Sequence, residues 1–210
     1  QRSVSLKINN LDDTSPIFTS ASTATAINEN SGSRQIVYTA TAADDSNVTF
    51  GLQRSGLKVE LYEGNNFNTL RSTNYESIIN INDQYDKDNG GNGDTFSVRA
   101  TGQIQAYSQG SNTWKVKSDD GVRIWIDDVQ VVNRWNDHAP TWDTFTVSGL
   151  EKDSWHDIRI DFYENGGGAT LDLYHSDETT LVSELRSDQF GTSAGSFEIN
   201  ATTGAVTLVD

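Results

Sequence analysis

The chain has no cysteine. A disulfide framework, a thiolate metal site and a cysteine nucleophile are therefore all excluded. No apolar run approaches membrane-spanning length, and Gln1-Arg2-Ser3 lacks the apolar core of a signal peptide, so the 210 residues read as an internal piece of something longer. Basic residues are scarce: 15 Lys and Arg stand against 30 Asp and Glu, a formal charge of -15. Phosphate backbones and anionic lipid would repel such a chain, which argues against nucleic acid as a partner and against direct membrane insertion. The same carboxylates, interspersed with Asn and Gly, are the hard oxygen donors that calcium takes and softer metals do not. Calcium, abundant outside cells, could also hold together a secreted chain that has no disulfides.

Helical periodicity is missing too. Apolar and polar residues alternate instead: Val4, Leu6, Ile8; Phe96, Val98, Ala100; Val122, Ile124, Ile126; Ile158, Ile160, Phe162; Leu171, Leu173. Period two over short runs bounded by Gly, Asn, Asp and Ser is a strand pattern, so the fold class is all-β with packed antiparallel sheets. All five Trp lie in the middle of the chain, whereas both ends are rich in Ala, Thr, Ser and Asn. That contrast suggests one domain inserted into a loop of another, because domain ends lie close together at the surface. The expected division is 1–13 as the end of a preceding repeat or linker and 14–54 as the first half of the outer domain. An inserted domain over 55–177, a connector over 178–190 and the second half of the outer domain over 191–210 complete it.

Asn10-Leu11-Asp12-Asp13-Thr14-Ser15-Pro16-Ile17-Phe18, Ile27-Asn28-Glu29-Asn30-Ser31 and Gly195-Ser196-Phe197-Glu198-Ile199-Asn200 give the flanks a resemblance to a cadherin-like repeat. Such repeats stand in tandem in long bacterial surface adhesins of the RTX type. The resemblance implies structural calcium ligands at Asp12, Asp13, Glu29, Asp44 and Asp45. The middle resembles a PA14 domain through Gly56-Leu57-Lys58-Val59-Glu60-Leu61-Tyr62, Phe96-Ser97-Val98-Arg99-Ala100-Thr101-Gly102, Lys117-Ser118-Asp119-Asp120-Gly121-Val122-Arg123-Ile124-Trp125 and Ile158-Arg159-Ile160-Asp161-Phe162-Tyr163-Glu164-Asn165-Gly166-Gly167-Gly168-Ala169. The implied fold is a PA14-type β-sandwich inserted into a smaller, split cadherin-like β-sandwich. Many PA14 domains, among them yeast flocculins and epithelial adhesins, are lectins in which an Asp-Asp pair joined by a cis peptide and an Asn-containing loop hold a calcium that binds two sugar hydroxyls.

Asp119-Asp120 falls at a strand end, and neighbouring side chains on a strand point to opposite faces, so both reach one ion only if the backbone departs from regular geometry. Asn165 could add a side-chain oxygen, and Gly167 and Ala169 carbonyl oxygens, leaving positions open for vicinal sugar hydroxyls. Trp135, His138 and Trp142 are loop candidates for sugar contacts. Taken alone, Asp-Asp-Gly is a common turn, and the triple glycine is more often a hairpin connection. In Asp83–Asp94, Gly90 stands where an EF-hand loop needs Asp or Asn, so that stretch reads as a solvated loop. Trp114, Trp125 and Trp155 read at least as well as core residues as they do as sugar platforms. The three histidines show no clustered ligand spacing.

The expectation is a monomeric, non-enzymatic calcium lectin module of a secreted bacterial cell-surface adhesin, with glycans and tandem adhesin domains as partners. A structural spacer is the alternative. A glycoside hydrolase is disfavoured, since its two carboxylates must flank a bond from separate positions roughly 5 to 9.5 Å apart.

Overall fold

The computed structural model describes residues 6–9, 17–23, 36–43, 48–191, 193–194 and 197–208. They fall into two compact units: Ser55–Asp188 and, from the two ends of the chain, Gln1–Arg54 with Gln189–Asp210.

In the larger unit, β1 (Leu57–Glu63), β2 (Thr69–Glu76) and β3 (Asn80–Asn82) lead through a short helix, α1 (Asp83–Asp88), to β4 (Phe96–Gln105). β5 (Gly110–Asp119), β6 (Val122–Ile126), β7 (Val129–Arg134) and β8 (Thr141–Leu150) follow. The last three are β9 (Trp155–Glu164), β10 (Thr170–His175) and β11 (Leu185–Gly191). One antiparallel sheet runs β2-β1-β4-β9-β6-β7, and a second runs β8-β5-β10-β3. Beyond β1, the same edge of β4 is taken by β11, where Leu185 pairs with Ile104. Gly102 marks the changeover with φ +153°, and a Cβ there would run into the Arg186 carbonyl, so only glycine fits.

The alternation in the sequence sets the two faces. Phe96, Val98 and Ala100 of β4, Val122, Ile124 and Ile126 of β6, and Ile158, Ile160 and Phe162 of β9 are buried together with Val116, Leu171 and Leu173 from the other sheet. This is a β-sandwich closed by apolar burial. Trp114 lies in that core, stacked 5.7 Å from Phe145. Trp125 and Trp155 do not. Their phase is opposite to that of the buried isoleucines, so they lie on the outer face, where Arg159 and Arg186 cover them at 4.6 and 4.1 Å. Of the expected connector, Val182 is buried in the core and β11 begins at Leu185.

The stretch read as a solvated loop opens instead with α1. Asn82 caps the helix, accepting from the N–H groups of Gln84 and Tyr85 at 3.0 Å each. Asp86 is fully buried, ion-paired with Arg71, and accepts the Gly93 N–H at 2.9 Å. A six-residue helix is too short to show periodicity, and a charge can be buried once it is paired and hydrogen-bonded.

In the smaller unit, Leu6–Asn9 pairs with Thr49–Ser55, and Ile17–Phe18 with Ala42–Ala43. Ser193–Ala194, Phe197–Ile199, Ala205–Leu208 and Ile36–Thr39 form a four-stranded sheet in that order. Ala40, Phe50, Leu52, Ile199 and Val206 are its core, so residues from both ends of the chain share it. Asp12, Asp13, Glu29, Asp44 and Asp45, the expected structural calcium ligands, lie outside the described residues.

Candidate functional site

Asp119-Asp120-Gly121 carries the chain from β5 in one sheet to β6 in the other. The Asp119–Asp120 peptide bond is cis. Gly121 lies against β9: its carbonyl accepts the Tyr163 N–H at 2.9 Å, and a Cβ on it would overlap the Tyr163 ring. Any side chain at this position would push the turn away from β9.

What β9 delivers there is Glu164. Ile158, Ile160 and Phe162 point inward, and Glu164 keeps their phase, fully buried. One carboxylate oxygen from each of Asp119, Asp120 and Glu164 lies within 4.8 Å of the others. Oxygens about 2.4 Å from a shared calcium stand at most about 4.8 Å apart, a spacing that these three meet. Glu164 Oε1 accepts the Gly166 N–H at 2.7 Å, while Oε2 is buried with no donor. A buried carboxylate oxygen in that position is costly unless a cation or a proton meets it. The donor set is all hard oxygen and fits calcium.

Electrostatics agree with the geometry. Burial, then the charges of Asp120, Asp119 and Asp83, push the Glu164 carboxyl up to about 7 against the pull of the Gly166 N–H. Burial and the charge of Asp120 also raise Asp119. Both shifts record crowded carboxylates, the rise of Asp119 being opposed by the charge of His138.

The loop after β9 is bound to acids along its length. The N–H of Asn165 donates to Asp120 Oδ2 at 3.0 Å, that of Gly167 to Asp94 Oδ1 at 3.3 Å and that of Ala169 to Asp83 Oδ1 at 2.6 Å. Gly167 has φ +116°, a conformation open to glycine, and a Cβ at Gly166, Gly167 or Gly168 would meet nothing within 4 Å. Backbone conformation, not crowding, accounts for glycine at Gly167.

Of the residues the sequence singles out, Asp119 and Asp120 meet in the cluster and Asn165 reaches it through its N–H on Asp120, whereas the N–H groups of Gly167 and Ala169 end on Asp94 and Asp83. The Asn165 side-chain oxygen accepts from Asn65 at 3.2 Å and its amide nitrogen donates to Asp137 at 2.9 Å. His138 joins the site through its backbone, whose N–H donates to Asp120 Oδ1 at 2.8 Å; its Nε2 is buried without a partner. Trp135 packs edge-on to Tyr163, centroids 4.7 Å apart, with Arg123 over the ring at 4.4 Å. Trp142 lies opposite Lys117 on the outer face of its sheet, 5.2 Å from Tyr174. Glu164 and Asp137 are not among the residues singled out, and Asp83 and Asp94 fall in the stretch whose composition reads as a solvated loop. Glu164 had a signal: an acid at a core-facing phase, immediately before Asn165.

A family model described as the PA14 domain matches residues 53–189. The chain belongs to the PA14 domain family. The chain is 27% identical over 142 residues to the anti-sigma-I factor RsgI3 of Acetivibrio thermocellus, a match spanning 67% of this chain and 22% of that protein. The chain thus spans about a fifth of that relative's length. Among solved structures, an anti-sigma factor domain-containing protein from Clostridium clariflavum superposes with a TM-score of 0.55 at 23% identity, over 63% of this chain and 48% of that one. The PA14 domain of the MpAFP antifreeze protein superposes with a TM-score of 0.52 at 17% identity, over 70% and 96%. These likenesses concern the fold.

Proposed function

We propose that the PA14 unit is a calcium-dependent carbohydrate-binding module of a bacterial cell-surface adhesin. The observation that carries this reading is the convergence of Asp119, Asp120 and Glu164, with Glu164 Oε2 buried and unpartnered. Asp119, Asp120 and Glu164 would hold the ion, with oxygens of Asn165, Gly167 and Ala169 completing its shell. Calcium bound there would offer open coordination positions to a pair of sugar hydroxyls. This chain's own residues orient the site: Asn165 N–H and His138 N–H fix the Asp120 carboxylate, and Tyr163 buttresses Gly121.

The same geometry argues against hydrolysis. Three carboxylates converging on one point do not flank a scissile bond from separate positions as a glycosidase pair must. A fold carried by an anti-sigma factor as well as by this chain also suits a module whose binding is separable from its host's activity. The smaller unit, resembling a split cadherin-like repeat, fits the tandem architecture of an adhesin, with glycans on neighbouring surfaces as partners.

A glycan array probed in millimolar calcium and again in excess chelator tests the reading. Binding to glycans with a terminal diol should vanish in chelator and in Asp120→Asn. A blank array from folded protein that retains calcium would leave a structural spacer in its place.

A further inference from the structure

The carbohydrate reading above leaves open which sugars the site admits, and this inference rests on that reading. Six carboxylates surround the loop from Glu164 to Ala169. Asp119, Asp120 and Glu164 form the inner group, within 4.8 Å of one another. Three more stand around them: Asp83 on the Ala169 N–H at 2.6 Å, Asp94 on the Gly167 N–H at 3.3 Å, and Asp137 on the Asn165 amide at 2.9 Å and the Tyr163 hydroxyl at 2.7 Å. Four N–H groups of this short loop, those of Asn165, Gly166, Gly167 and Ala169, thus each end on a different carboxylate.

Among the described residues, no Lys or Arg is ion-paired with any of the six. A divalent cation offsets two negative charges, and the inner group alone carries three. A cation so placed is over-neutralised, and the outer acids add to the excess. Like charges a few ångströms apart repel even in high dielectric, more strongly near a protein surface than in bulk water.

We infer that the site selects its ligand by charge, accepting neutral and amino sugars and rejecting acidic sugars such as uronates. A bare cation would attract a uronate carboxylate; this one is surrounded by enough fixed negative charge to reverse that preference. Asp83, Asp94 and Asp137 are then specificity-determining residues, acting through the local field.

The experiment varies charge at one carbon of the sugar. Methyl glycosides of glucose and galactose are titrated calorimetrically against the whole chain in millimolar calcium at low ionic strength, each beside its uronate and its 6-amino-6-deoxy counterpart. The uronate should bind roughly tenfold more weakly than the neutral sugar, the amino sugar at least as tightly, and both gaps should narrow as salt is added. Asp94→Asn and Asp137→Asn keep an oxygen to accept the loop's hydrogen bonds while removing charge, so each should narrow the uronate gap in protein whose melting temperature shows it folded. A uronate that binds as well as the neutral sugar overturns the inference alone, as does a gap unmoved by both variants. If no sugar binds while calcium is retained, the carbohydrate reading fails, and this inference with it.

Discussion

At the scale of single residues, Glu164 sets opposing demands. Its carboxyl is pushed up to about 7, chiefly by burial and then by Asp120 and Asp119, so the calcium-free fold holds its proton more tightly than the unfolded chain does. The stability this proton contributes is present below the ordinary carboxylate range and is lost as pH rises to about 7. Glu164→Gln removes the titration and the charge. In chelator at pH 8 the variant should melt about 4 °C above the parent, and near pH 4.5 the two should converge, as calorimetry would show. In calcium the order should reverse, because the ion loses a charged ligand and its affinity falls roughly tenfold or more. A residue buried for packing alone would not give opposite signs in the two conditions. Glu164 could be found in the sequence only by asking which face it shares; that Asp83, Asp94 and Asp137 stand at this loop could not, because nothing local says that distant loops meet.

Among the elements, the alternating strands were legible from periodicity, and the loops between them much less so. Loop 89–95 is pinned from beneath: Asp86 of α1 pairs with Arg71 of β2 and accepts the Gly93 N–H, and a Cβ on Gly91 would overlap the Asp86 carboxylate. The Asp83 and Asp94 that border the site stand on the segment this pair anchors. Asp86→Ala leaves a mostly buried guanidinium with only the exposed Glu63, 3.3 Å away, as its acid partner and should cost about 3 kcal/mol, read as a lower urea midpoint with an unchanged slope. Read as a solvated stretch from its composition, this segment is ordered by one buried charge pair between β2 and α1, separated by 15 positions in the chain. Charge in a sequence reads as solvent-facing unless the partner is known, which is why composition misassigned it.

For the molecule as a whole, a net charge of -15 concentrates repulsion that salt or calcium relieves. Raising sodium chloride from about 20 to about 500 mM should raise the melting temperature of the chelated protein and weaken calcium binding several-fold, since screening weakens both the repulsion and the attraction. A melting temperature indifferent to salt would mean that the acids are already compensated within the fold. The sequence by itself determined the all-β class, the phase of the core strands, the hard-oxygen chemistry and the Asp119-Asp120 pair, because periodicity and composition are local properties of the chain. Only the tertiary structure decided that Glu164 joins that pair, that Trp125 and Trp155 face outward under arginines, and that three further acids ring the site. Those outcomes depend on which strand ends pack together, and pairing across a sandwich brings together residues far apart in the chain whose local patterns carry no record of one another.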